Sequence, residues 1–196
     1  MFGLSDLVGL VISAFIIFPT VIFLREFGYM IFGFLVGAKN SRITLGSGPR
    51  VFKIGKLDVR KYSHLYSWFS YDELRNTSKS AYVLLYAGPI MINVIIGLLI
   101  NALLANDYLS VYETFWHRFV FYTFFYVLFD AVPMRTANGK PNNGMIIYQM
   151  IRYGKRTDYN PEPFLPSTFE MEKTYQKEME KVKRTIKDYK SDNETN

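Results

Sequence analysis

The sequence predicts an α-helical integral membrane protein. Three transmembrane helices are expected, with a small β-hairpin region between the first two and a C-terminal amphipathic helix. Three observations predict this. Hydrophobic residues make up 49% of the 196, yet mean hydropathy is only +0.04. The apolar residues are therefore concentrated, and they fill the first two thirds of the chain in long, nearly uncharged runs. Basic residues gather in particular connections, as they do on the cytoplasmic side of a bilayer.

The first run, about residues 4–37, holds seventeen uncharged residues from Leu7 to Phe23 and resumes after Arg25-Glu26. It exceeds one straight span, so the helix is expected to be tilted or broken, or bent at Pro19 or Gly28. The loop 39–80 is soluble or interfacial. Phe52 and Ile54 alternate with Lys53 between glycines and proline, which reads as two or three short strands. Aromatics in 65–69 suit the interface. The second span is expected over about 81–104, with Gly88-Pro89 and Asn93 inside, and the third over about 111–132. Residues 1–150 form the transmembrane core and 151–196 a tail.

Loop 39–80 carries nine Lys or Arg against three Asp or Glu, and residues 135–196 carry twelve against nine. The 106–118 connection carries one against two. Three spans then place the N-terminus outside, with the loop and tail cytoplasmic. In the tail, Ser167–Glu170 reads as a capping box opening a helix over about 167–190. Met171, Tyr175, Met179, Val182, Ile186 and Tyr189 form its apolar stripe. That stripe would dock on the protein's own loops, pair with another helix, or lie on lipid. Residues 191–196 are expected to be disordered.

Composition also excludes. With no cysteine there is no disulfide and no thiolate metal site. His64 and His117 are too few for a histidine centre. The net charge of +6 falls beside apolar segments, without the aromatic and basic interleaving of a nucleic-acid surface. The bilayer is the expected partner, and no nucleic acid. Gly46-Ser47-Gly48 lacks the residues of a phosphate loop.

Four stretches carry a family resemblance: R-E-F-G-Y at 25–29, G-S-G-P-R-V-F-K-I-G at 46–55, A-G-P-I-M-I-N at 87–93, and F-D-A-V-P at 129–133 followed by N-G-K-P-N-N-G. In order and spacing, over about residues 5–150, the chain resembles the site-2 protease family, the M50 intramembrane metallopeptidases. That family has H-E-F-G-H where this chain has Arg25–Tyr29. Its two histidines and a later aspartate bind zinc, and its glutamate activates the attacking water. The resemblance puts Arg25 and Tyr29 at the histidines, Glu26 at the general base, and Asn138 or Asn143 at the aspartate. Every ligand position is changed. Arginine is cationic, tyrosine ligates only as phenolate, and an asparagine carbonyl is a weak zinc ligand. No catalytic residue, metal or cofactor is expected.

The resemblance thus implies a metal-free pseudoprotease that binds or regulates another polypeptide or membrane complex. Its cleft would involve Arg25, Glu26, Tyr29, Asn93, Asp130, Pro133, Asn138 and Asn143. The same residues also read as structure: Arg25 held by Glu26 or Asp130, Gly88-Pro89 and Asn93 shaping helix packing, Gly28, Gly33 and Gly37 as close-packing positions, the asparagines capping turns. Two other functions stay open, an accessory subunit of a transporter or channel and a peptidase with altered chemistry.

Overall fold

The computed structural model describes residues 3–136, 139, 141–154 and 166–194, without the side chains of 5–6, 63–66 and 191–194. The first apolar run is one rod in three pieces: α1 (Leu4–Ile12), a π-helical turn (Ser13–Ile17) and α2 (Phe18–Leu35). Pro19 has no N–H to donate back into the rod, and the wider turn lies just ahead of it. Ser13 Oγ donates to Gly9 O inside that turn. Gly28 serves close approach. A Cβ there would lie 2.7 Å from Gly88 O and Pro89 Cα of α3 (Lys79–Ala105).

Two helical stretches are long and apolar enough to cross a membrane, Leu7–Leu35 and Lys79–Ala105. The expected third span is corrected by this. The segment forms a helix, α4 (Glu113–Ala131), but it does not reach the same standard. Its 19 residues include Glu113, His117, Arg118 and Asp130, and tyrosine, tryptophan and threonine stand where α3 has leucine and isoleucine. Polar atoms on those rings reduce the gain on leaving water.

The β region also departs from the small hairpin expected. β1 (Ala38–Lys39) pairs with β4 (Glu73–Leu74), and β2 (Arg42–Ile54, 13 residues) pairs with β3 (Leu57–Ser70, 14 residues), all antiparallel. β2 turns back on itself at Gly46–Pro49, where Gly46 and Gly48 have φ of 84° and 79°. Residues 43–45 then pair with 57–59 and also with 67–69, while 52–54 pair with the other edge of 57–59. Two bent strands thereby make four sheet segments. Among the described residues, the three-span, otherwise helical architecture is replaced by two apolar rods and three further helices, α4, α5 and α6, with two small sheets.

Phe69, expected at the membrane interface, is fully buried and stacks on Tyr29 of α2 at 5.7 Å. α5 (Asn143–Tyr153) had no counterpart in the sequence reading, which had the asparagines of this segment only capping turns. Asn142 caps it, and Gly154 ends it with φ of 73°.

The tail helix α6 (Thr168–Glu194) docks by its first two turns. Ser167 Oγ donates to Asp72 at 2.9 Å, and Asp72 also accepts from Phe169 N. Asp58, fully buried, accepts from Arg50 Nε and Nη2 at 2.7 and 2.9 Å. Arg50 and Arg42 also reach Glu172 of α6. The Tyr175 ring lies between the guanidinium groups of Arg50 and Arg60, at 4.6 and 4.7 Å. Beyond this, Val182, Ile186 and Tyr189 are exposed.

The Arg50 hydrogen bonds, then those from Gln176 and Arg42, hold the Glu172 carboxyl well below its ordinary 4.5. A depressed folded value means docking energy present above 4.5 and lost as pH falls below it. The protection of amides 168–176 against hydrogen exchange, measured relative to the intrinsic rate at each pH, is therefore expected to fall in acid. Glu172→Gln should show faster exchange already at pH 7 and a smaller acid step.

Candidate functional site

α2 places Arg25 and Tyr29 one turn apart on one face, with Glu26 beside them. α4 ends at Ala131 because Val132, preceding Pro133, is extended at ψ of 121°. Asp130 therefore sits in the last turn of α4, across from Arg25.

Arg25 Nε donates to Asp130 Oδ2 at 2.6 Å, and Nη2 to Oδ1 at 3.1 Å. This two-bond fork is the strong geometry for arginine and carboxylate. The remaining Nη1 donates to Glu26 Oε1 at 2.8 Å. Both partners left open by the sequence are used. Glu26 is 1% exposed and the Arg25 side chain 23%. The guanidinium also lies 5.4 Å from the Tyr29 ring.

The Tyr29 hydroxyl donates to Asn143 Oδ1, and both residues are buried. This brings one of the two asparagine candidates to the centre; Asn138 falls outside the described residues. Asn93 is buried in α3. Glu26 Oε2, Asn93 Oδ1 and Asn143 Nδ2 have no hydrogen-bond partner among the described residues.

Asn142 ties the segments together. Its Oδ1 accepts from Met134 N and Met145 N, at 3.1 and 2.9 Å. Its Nδ2 donates to Phe129 O and Val132 O at the end of α4. Gly144 closes the joint, since a Cβ there would lie 2.0 Å from Ala131 O.

The zinc site implied by the resemblance does not fit these side chains. Arg25 has no lone pair to give. The Tyr29 hydroxyl is spent as a donor to Asn143, and both carboxylates receive Arg25. Among the described residues no three His, Cys, Asp or Glu side chains group to hold a metal. His117 lies far along α4 from Asp130 and meets Glu113 at 3.2 Å. His64 lies in β3.

The sequence reading missed Ser67, whose hydroxyl in β3 faces Glu26. It also missed the Asp58 and Glu172 cluster. The available signal was weak: Arg42, Arg50 and Arg60 within the basic loop, with Asp58 between the last two.

The fold and this centre define a mixed helical and β protein with two helical stretches able to cross a membrane and a polar interior joined by ion pairs and amide hydrogen bonds. Over 156 residues the chain is 32% identical to the uncharacterized membrane protein YwmF of Bacillus subtilis (strain 168), covering 80% of this chain and 97% of that protein. It belongs to that membrane-protein family. No family model matches the chain. No solved structure matches it significantly.

Proposed function

We propose that the protein is a metal-free relative of the site-2 proteases that binds an extended segment of another membrane polypeptide and regulates it. The observation that supports this most is the Arg25 guanidinium, forked onto Asp130 and bonded to Glu26. In the resemblance, position 25 belongs to a zinc ligand. Here a fixed positive charge stands there and bonds both carboxylates, Asp130 and Glu26.

The proposed binding edge is Ser67–Ser70 of β3, beside Glu26 and Tyr29. Strand addition supplies affinity through main-chain hydrogen bonds and needs no catalytic group. The proposed orientation puts the N-terminus outside and loop 39–80 and the tail in the cytoplasm. The basic excess of the loop supports the side, and the bonds from Arg42 and Arg50 to Glu172 support a common side for loop and tail.

The test uses a photoreactive residue at position 68 in living cells, with position 51 as control. A discrete cross-linked polypeptide is expected at 68 and not at 51, with the partner uncleaved. Purified protein should hold far less than one zinc per chain. Stoichiometric zinc, or partner cleavage abolished by Glu26→Gln, would falsify the reading. Cross-linking equal at both positions would remove the β3 edge as the binding surface.

A further inference from the structure

A cleft of about 690 Å³ opens where the first apolar rod ends and the second begins. One wall is Phe34–Gly37 at the end of α2, the other Arg75–Ser78 just before α3. Arg75 N donates to Gly37 O at 3.0 Å, and Asn76 N to Val36 O at 3.2 Å. These bonds fix the walls to each other. Gly37, with φ of 82°, is required here, because a Cβ would lie 2.6 Å from Arg75 Cβ.

The lining combines two chemistries. Arg25, Arg42, Arg50 and Arg60 each lie against a carboxylate. The Arg75 guanidinium has no ion pair or hydrogen bond among the described residues. The nearby Lys79 ammonium is turned away, donating to Ile151 O at 3.0 Å. Thr77 adds a hydroxyl to the same wall. At the lip, Phe34 and Leu35 are 72% and 64% exposed, a costly arrangement in water. A free cation beside exposed apolar side chains fits an amphiphile with an anionic head.

Position selects the source of that amphiphile. Both stretches able to cross a membrane, Leu7–Leu35 and Lys79–Ala105, have an end at this cleft. The cleft therefore lies at the level of lipid headgroups in a protein of a membrane family. Loop 39–80, which carries Arg75, has nine basic residues against three acidic, and such segments face anionic lipid.

We propose that this cleft binds the phosphate headgroup of an anionic phospholipid, with Arg75 on the phosphate and the acyl chains along Phe34 and Leu35. The site is separate from the Arg25 centre and does not depend on the function proposed above. A bound lipid here would fasten the end of α2 to the start of α3.

The experiment uses the full chain in detergent, titrated with phosphatidylglycerol, phosphatidylcholine or inorganic phosphate and read by native mass spectrometry and thermal unfolding. Phosphatidylglycerol should bind and stabilise, and phosphatidylcholine should do so far less. Arg75→Gln should weaken phosphatidylglycerol binding about fivefold, the effect of one basic residue at an anionic surface. Thr77→Glu, which brings an anion to the same wall, should weaken it too. Lys53→Gln, on the exposed hairpin, should leave it unchanged. Arg75 is exposed and its backbone bond to Gly37 survives substitution, so both variants should fold. Equal binding by wild type, Arg75→Gln and Thr77→Glu would overturn the site. Inorganic phosphate matching the lipid's effect would overturn the lipid as its ligand.

Discussion

Arg25→Met is expected to lower stability by about 3–5 kcal/mol, the cost of breaking a buried ion pair from one side. The 23% exposure of the Arg25 side chain places the value toward the lower bound. The loss arises because Asp130 and Glu26 stay behind, both buried and both deprived of their donor. Asp130→Asn should cost less, since Glu26 still receives Arg25 Nη1. The coupling is the decisive quantity. The fork joins the two residues directly, so the double variant should be less damaged than the sum of the singles, by about 1–3 kcal/mol. Unfolding by denaturing detergent, or thermal unfolding in mild detergent, reads all three variants. Strictly additive losses would show that the fork contributes nothing in the membrane. An unchanged Arg25→Met would mean that Arg25 reaches the headgroups instead.

The second large effect is expected at Asn142. One amide side chain bonds four backbone groups, capping α5 and closing the end of α4. Loss of an asparagine cap alone costs about 0.5–2 kcal/mol. Leaving the Phe129 and Val132 carbonyls without that donor adds about 1–3 kcal/mol. Asn142→Ala should therefore cost about 2–4 kcal/mol. It should also loosen Asn143, and with it the acceptor of Tyr29. Asn142→Asp separates the two contributions. It keeps the acceptor for Met134 and Met145 but cannot donate to α4, so it should fall between wild type and alanine. Equal stability of the aspartate and alanine variants would show that the cap contributes nothing beside the α4 bonds.

Much of the local structure was legible. The run Leu7–Phe23 and the run through α3 announce themselves by transfer free energy, which needs only composition. Ser167 and Glu170 announce the start of α6. The reading failed where composition and length gave different answers. Residues 113–131 are rich in aromatics and look like a span, but tyrosine, tryptophan, His117 and Arg118 lower the apolar content below that of α3. α5 was missed because its signal is short: Ile146 and Met150 one turn apart, between Asn142 and Gly154. The bent sheet was read as short strands, since glycine and proline at 46–49 look like a break. Only the pairing of 57–59 with both 43–45 and 52–54 shows that the strand continues around the bend.

At the centre the division is sharper. The sequence by itself determined which residues populate it: an arginine and a glutamate at the end of an apolar run, a tyrosine one turn on, an aspartate before a proline, and an asparagine pair. These follow from spacing along single elements, and periodicity is a local property. The tertiary structure alone decided that Arg25 takes both Asp130 and Glu26, that Tyr29 bonds Asn143, and that Asp58 gathers Arg50 and, through it, the tail. Arg25 and Asp130 are 105 residues apart in sequence. Their meeting depends on α2 and α4 each packing on α3, with Gly28 admitting Pro89 at close range. Coulomb attraction and hydrogen bonding act over a few ångströms. The choice between carboxylates is therefore made only after packing has set the distances.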